Sequence, residues 1–193
     1  MVTPLNRRTL LQISAAALLA PRRAAASADL RAALRSGGHV IYFRHAATTW
    51  SGVDQIDWPR ARQRLLSDLG IAQSERIGAA FRSEGFPVGE VLASPFARCR
   101  DMAQIAFGRV EVRMELLGLL SDSDGRAARI AYLRDKLTTP PAAGTNRVIV
   151  SHRSNVAEVA GANLAEGEAI ITRPVRNGFD RVAQWMPEDW ANG

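Results

Sequence analysis

The 193-residue chain is poor in several residue types that would point to particular kinds of protein. It has one cysteine, Cys99, and three histidines. A lone cysteine excludes an internal disulfide, and we expect Cys99 to be a small buried side chain. No group of histidines or carboxylates has the spacing of metal ligands, so we predict that the protein needs neither a metal nor another cofactor.

Long apolar runs are also missing. The longest stretch, residues 10–20, is far shorter than the roughly 20 residues that span a bilayer. With 47% hydrophobic and 23% charged residues, the composition is that of an ordinary globular protein.

The first 28 residues have the features of an export signal. Arg7 and Arg8 precede the apolar stretch, and residues 24–28 supply small side chains suited to cleavage after Ala28. Paired arginines favour the twin-arginine export machinery. We therefore expect a signal peptide over residues 1–28, a single mature domain over residues 29–193 without a transmembrane segment, and a periplasmic or secreted location. The alternative is an uncleaved amphipathic N-terminus.

Net charge argues against a nucleic-acid partner. The whole chain has 25 basic and 19 acidic residues, but four of the arginines and none of the acids lie in residues 1–28. Residues 29–193 therefore have 21 basic and 19 acidic residues, and their net charge is close to neutral. Nucleic-acid binding needs a clustered basic face.

Two of the three histidines end similar apolar runs. His45 follows residues 40–44, and His152 follows residues 148–151. Runs of this kind are typical of strands buried on both faces of a parallel sheet. Ligands bind at the carboxyl ends of such strands, so we expect both imidazoles in one site. His39 lies about 20 Å before His45 along an extended strand and belongs to the opposite edge.

A third apolar run leads into a predicted helix. Residues 91–93 are followed by Ser94 as helix N-cap and Pro95 at the first helical position, which places Arg98 one turn into the helix. A guanidinium near a helix N-terminus binds phosphate well.

The expected side chains at this edge suit chemistry on an oxyanion. A neutral imidazole is a nucleophile near neutral pH. Guanidinium groups such as those of Arg44 and Arg98 neutralise phosphoryl oxygens, and phosphoryl transfer depends mostly on positioning and on this charge stabilisation.

The ordered residues Arg44-His45-Ala46, Ser94 to Arg98 and Ser151-His152 resemble the histidine phosphatase superfamily, the phosphoglycerate-mutase-like group. Ala46 stands where its Arg-His-Gly signature often has glycine. The resemblance implies a phosphoglycerate-mutase-like fold and a phosphohistidine intermediate on His45. It assigns Arg44, Arg98 and His152 to the phosphate pocket, and Thr48 to a hydroxyl position that contacts substrate.

The proton donor for the leaving group is left open by this resemblance. Glu115 is the nearest match to the glutamate of mutase-type members, while Asp54 and Asp57, in the loop after His45, are alternatives. The long loop over residues 46–66 also has Trp50 and Trp58, which could cover a substrate ring or pack over the sheet edge.

The resulting expectation is an exported phosphatase that acts on a phosphomonoester, either a phosphorylated small molecule or an envelope sugar phosphate. Residues 167–174 resemble a subset of small exported bacterial members. A non-catalytic phosphate-binding or envelope-interaction protein is the alternative, and a phosphomutase is a third, for which so short a chain leaves little room.

The alternation of short apolar runs and helical segments predicts an α/β fold of three layers, α-β-α, with a mainly parallel central sheet. The predicted strands are 39–44, 91–93, 110–112, 147–150, 169–173 and 179–185. The predicted helices are 67–82, 95–107, 126–138 and 154–163. The last strand is the candidate for antiparallel pairing.

Overall fold

The structure is a computed structural model that describes residues 28–121 and 124–190. The chain divides into two compact units, Met1–Ala33 and Leu34–Gly193. Residues 28–33 of the first unit are helical. The predicted signal peptide, residues 1–28, lies outside the described residues except for its last position.

A six-stranded sheet organises the described part of the second unit, with the strand order β3-β2-β4-β1-β5-β6. The strands are β1 Val40–Arg44, β2 Val88–Ala93, β3 Glu111–Val112, β4 Asn146–Ser151, β5 Ala169–Val175 and β6 Gly178–Trp185. Strands β3, β2, β4 and β1 are mutually parallel. The mainly parallel sheet predicted from the sequence is confirmed.

The last strand is antiparallel to its neighbour, as expected, but β5 is antiparallel as well. The chain returns to the carboxyl end of β1 before β5 begins, since the Gly167 amide donates to the carbonyl of His45 at 3.0 Å. From there β5 has to run opposite to β1. A two-residue connection then leads into β6, and so short a loop joins only antiparallel strands.

Four helices flank the sheet in the described residues of this unit, and all four were predicted from the sequence. They are α1 Asp68–Glu84, α2 Ala97–Phe107, α3 Arg126–Thr138 and α4 Arg153–Ala160. The Ser67 hydroxyl caps α1 by accepting from the Gly70 amide at 3.2 Å, and α1 ends at Gly85 in the left-handed conformation. None of the described helices is long and apolar enough to cross a membrane.

The start of α2 differs from the prediction. Ser94 is not its N-cap, because the helix begins at Ala97 with Phe96 in the capping position. The Ala97 amide donates instead to the side-chain oxygen of Gln63, at 3.0 Å. Ser94 is therefore free to contact the candidate site.

Alternate residues of β1 face two different helical layers. Tyr42 belongs to an apolar cluster with residues of α3 and α4, among them Leu133 and Val156. Phe43 points to the other face, where its ring centroid lies 6.4 Å from that of Phe81 of α1, 6.1 Å from Phe107 of α2 and 5.5 Å from Trp190. This arrangement is the predicted α-β-α order. Trp190 packs in the core.

One buried amide ties the amino-terminal ends of the central strands together. The Asn146 side chain donates to the carbonyls of Leu34 and Pro87, at 2.7 and 3.0 Å. Its oxygen accepts from the His39 amide at 3.1 Å. The Asn146 side chain is completely buried, so water cannot replace these bonds.

We predict that Asn146→Ala lowers the free energy of unfolding by about 2–4 kcal/mol, because it removes three hydrogen bonds and leaves the buried His39 amide without an acceptor. Urea denaturation of the purified protein measures this. Asn163→Ala is the matched control, since Asn163 is exposed. A loss below about 1 kcal/mol, the size of an average substitution, would contradict this role of Asn146.

Candidate active site

The parallel pairing of β1 and β4 places two histidines side by side. Arg44 is opposite Ser151 in the register, so His45 and His152 are the next residues along the two strands. The His45 amide donates to the Ser151 carbonyl at 2.9 Å, which continues the pairing by one residue. The imidazole rings lie 5.7 Å apart between centroids. The structure therefore brings together the two histidines that the sequence pattern predicted to meet.

A cavity of about 600 Å³ opens at this edge of the sheet. His45, His152, Arg44 and Arg98 all line it. The other lining residues are Gly52, Val53, Asp54, Arg64, Phe96, Gly118, Leu120, Ser121, Arg153, Ser154, Ala157 and Asn163. Such a volume holds a phosphoryl group together with an organic leaving group.

The hydrogen bond of His45 fixes which ring nitrogen has the proton. Nδ1 lies 3.0 Å from the carbonyl oxygen of Ala46. A carbonyl oxygen only accepts, so Nδ1 is the protonated nitrogen and Nε2 has the free electron pair. His45 is only 3% exposed. Burial, followed by the positive charges of Arg98, Arg44 and Arg64, lowers its pKa well below 6.5.

His152 is held by groups from the loop before α2. Its Nε2 lies 2.8 Å from the Ser94 hydroxyl. The Phe96 ring packs edge-on against the imidazole at 5.4 Å. Burial and then the charge of Arg98 lower the pKa of His152 well below 6.5. Both histidines are therefore neutral near neutral pH.

Cys99 lies close to His152 but is not set up to react. Its sulfur is 3.9 Å from His152 Nε2, and the side chain is completely buried. Burial raises the pKa of the Cys99 thiol to about 12. The expectation of a small buried side chain is confirmed.

Arg98 enters the cavity from the first turn of α2 and is paired with a carboxylate. Its Nη1 donates to both oxygens of Asp54, at 2.8 and 2.9 Å. The guanidinium also lies 4.2 Å from the centroid of the Phe96 ring. Arg98 is 5% exposed and Asp54 is 4% exposed, so this is a buried ion pair.

Arg64 is a cavity residue that sequence reasoning missed. Its Nη2 donates to the Thr48 hydroxyl at 2.6 Å and to Glu166 at 3.2 Å. Arg44 donates to the same oxygen of Glu166, at 3.2 Å. The only signal in the sequence was the position of Arg64 at the end of the long loop. Because the chain has 24 arginines, this position alone does not single it out.

The other predicted site residues do not line the cavity. Thr48 contacts Arg64 and Glu166 instead, which makes it a support for the cationic group. Glu115 is exposed in the 3-10 turn Met114–Leu116, and Asp57 is exposed in the loop. The structure does not bring Glu115 or Asp57 together with the histidines.

The loop over residues 46–66 is held by its own polar contacts. The Gln63 amide donates to the carbonyls of Ile56 and Trp58, at 3.3 and 3.0 Å, while its oxygen caps α2. Arg64 donates to the carbonyls of Trp50 and Gly52, at 2.9 and 3.2 Å. Neither Trp50 nor Trp58 is a lining residue. The loop therefore delivers Asp54 and Arg64 to the cavity rather than its tryptophans.

A close approach at Gly70 fixes the loop to the first turn of α1. A side chain at this position would meet the Ala47 carbonyl oxygen at 2.1 Å. The Ser67 amide donates to the same oxygen at 3.0 Å. The residues that follow His45 are thus packed directly on the helix.

His39 stays at the other end of β1, with Nδ1 3.1 Å from the Gly37 carbonyl. Over residues 28–121 and 124–190, no three His, Cys, Asp or Glu side chains are grouped to hold a metal ion. The chemistry available in the cavity is that of a neutral imidazole with a free Nε2, surrounded by guanidinium groups that bind oxyanions.

Known proteins share this sequence pattern and this fold. Residues 40–128 match the family model of the histidine phosphatase superfamily, branch 1. No curated protein matches the chain in sequence.

Three solved structures illustrate the fold. The protein histidine phosphatase SixA complexed with tungstate has a TM-score of 0.57 at 16% identity, over 78% of this chain and 98% of its own. A mutant phosphoserine phosphatase from Entamoeba histolytica in complex with phosphoserine has a TM-score of 0.56 at 13% identity, over 78% of this chain and 98% of its own. A putative alpha-ribazole-5'-P phosphatase from Escherichia coli has a TM-score of 0.55 at 14% identity, over 75% of this chain and 95% of its own.

At these identities the structural likeness shows the fold alone, and it confirms the phosphoglycerate-mutase-like architecture expected from the sequence. In sequence, the similarity to the histidine phosphatase superfamily extends over residues 40–128.

Proposed function

We propose that this protein is a phosphatase that hydrolyses a phosphomonoester through a phosphohistidine intermediate on His45. The observation that carries the proposal is the state of His45: a neutral ring with Nδ1–H held by the Ala46 carbonyl and Nε2 left unprotonated. Arg44, Arg64 and Arg98 line the same cavity and provide the positive charge that a phosphoryl group requires. The superfamily match and the phosphatases of the same fold agree with this chemistry.

In the first step, His45 Nε2 attacks phosphorus and the bond from phosphorus to the leaving oxygen breaks. The guanidinium groups of Arg44, Arg64 and Arg98 stabilise the charge that spreads over the phosphoryl oxygens. His152 is neutral and provides a further polar contact at the same end of the cavity. The proton of His45 stays on Nδ1, which keeps donating to the Ala46 carbonyl, so the ring keeps its orientation.

In the second step, water attacks phosphorus and the bond from phosphorus to Nε2 breaks. Inorganic phosphate leaves, and His45 returns to its neutral form. No cofactor enters either step. We propose a phosphorylated small molecule, such as a sugar phosphate of the cell envelope, as the substrate.

We also propose that the protein is exported through the twin-arginine machinery, with residues 1–28 as the signal. Two adjacent arginines before a short apolar stretch support this. Replacement of both Arg7 and Arg8 by lysine tests the proposal, with the periplasmic and cytoplasmic fractions measured after expression. Unchanged export of the double variant would argue against the twin-arginine route.

His45→Ala is expected to reduce the turnover of 4-nitrophenyl phosphate by about 10³-fold or more, because the nucleophile is lost. His39→Gln is the matched control: it alters a histidine at the opposite end of the same strand and should leave turnover within a few-fold. Acid-quenched protein, incubated with phosphate-labelled substrate, should contain a phosphoenzyme in the wild type and none in His45→Ala.

Full activity of a folded His45→Ala variant would overturn the assignment of the nucleophile. A wild-type protein that binds tungstate or phosphate, but turns over no ester and forms no phosphoenzyme, would indicate a non-catalytic phosphate-binding protein instead.

The lowered pKa values of His45 and His152 predict the pH at which these rings titrate. Both rings should remain neutral at pH 6.5, where an ordinary histidine is half protonated, and their NMR signals should shift only at clearly lower pH. Below pH 6.5 the unfolded chain binds protons that the folded chain does not, so the free energy of unfolding should fall as the pH falls. Titration of both rings near pH 6.5 would contradict the burial of the two imidazoles beside the arginines.

A further inference from the structure

The described residues that line the cavity include one carboxylate, Asp54. Glu115 and Asp57 are exposed and do not line it. His152 is held neutral by burial and by Arg98, which makes it a poor proton donor near neutral pH. Among the described residues, Asp54 is therefore the candidate acid for the leaving group.

In the structure, Asp54 has two hydrogen-bond partners. Both of its oxygens accept from Arg98 Nη1, at 2.8 and 2.9 Å, and Oδ2 also accepts from the Arg64 amide at 2.8 Å. This contact set is that of an ionised carboxylate, which accepts hydrogen bonds and donates none. In this state Asp54 has no proton to give.

Arg98 is also a guanidinium that the proposed substrate needs. Its Nε is buried and has no acceptor within the described residues, so the group is short of oxygen partners even with Asp54 present. A phosphoryl group that enters the cavity competes with Asp54 for Arg98, and it places a second negative charge beside the carboxylate. Loss of a cationic partner and gain of an anionic neighbour both favour the protonated form of a carboxyl group.

We propose that Asp54, the anion paired with Arg98 in this cavity, becomes the proton donor when substrate displaces it from Arg98. This assignment rests on the proposed phosphatase function, and it identifies a catalytic residue that the sequence left among three alternatives. The substrate enters with one acidic proton on its phosphoryl group, transfers that proton to Asp54, and remains as a dianion on the arginines.

The two chemical steps then balance. As Nε2 bonds to phosphorus and the leaving oxygen departs with its electron pair, Asp54 gives its proton to that oxygen and the product is a neutral alcohol. In the second step, Asp54 accepts a proton from the attacking water. Phosphate then takes this proton from Asp54 and leaves as the monoanion, and the ionised Asp54 carboxylate returns to Arg98.

Asp54→Asn tests this role, because asparagine keeps the size of the side chain and an acceptor for the Arg64 amide but has no proton to donate to the leaving oxygen. Turnover should be measured with an alkyl phosphate, whose alkoxide leaves poorly, and with 4-nitrophenyl phosphate, whose phenolate leaves without protonation. The alkyl phosphate should lose about 10²-fold or more, the usual range for general acid catalysis. The nitrophenyl ester should lose much less.

Binding of tungstate to the same variant gives a second measurement. Removal of the Asp54 anion should tighten binding, by at least roughly fivefold, the effect of one like charge at 4 Å in water. Asp57→Asn is the matched control: it removes a carboxylate of the same loop that is exposed, and it should change neither measurement. The melting temperature of each variant shows whether the fold is kept.

An equal loss for both esters, or weaker tungstate binding by a folded Asp54→Asn variant, would show that Asp54 only supports Arg98. If the variant does not fold, the wild type is assayed with a series of esters whose leaving groups differ in acidity. An acid in the site makes turnover depend only weakly on the acidity of the leaving group. A steep dependence would overturn the proposal. A wild type that hydrolyses no ester overturns the phosphatase function itself, which is a different result.

Discussion

The concentration of positive charge at one buried edge of the sheet is the constraint on which the site depends. Arg44, Arg64 and Arg98 line the same cavity as two histidines. Burial first, and then the nearby arginine charges, lower the pKa of both imidazoles, so both rings stay neutral. The same positive charge that disfavours protonation of His45 makes the cavity attractive to an oxyanion.

Two carboxylates offset this charge in different ways. Glu166 contacts Arg44 and Arg64 through a single oxygen and is partly exposed. Asp54 is buried against Arg98 inside the cavity. A buried ion pair loses much of its attraction to desolvation, so the Asp54 pair is a contact that a phosphoryl dianion can replace. The difference between the two carboxylates is one of position, since both are ion-paired to arginines of the cavity.

Much of the fold and part of the site were predictable from the sequence. The strands β1 and β4 each contain a short run of buried apolar residues, and their parallel pairing makes it possible to foresee that His45 and His152 meet. The helix after Ser94 was predicted two residues early, because Ser-Pro is a strong local start signal. In the folded chain the Gln63 side chain caps that helix, and Ser94 bonds His152 instead. Contacts between residues so far apart in the sequence leave no local pattern.

The sequence by itself determined the α/β fold, the edge at which the site lies and the pair of histidines, because these follow from hydrophobic periodicity and from the direction of parallel strands. Only the tertiary structure decided the rest. It chose Asp54 over Asp57 and Glu115 as the carboxylate of the cavity, and it added Arg64. The path of the loop over residues 46–66 depends on side-chain to backbone hydrogen bonds, such as those of Gln63 and Arg64, whose partners lie several residues away or on another element.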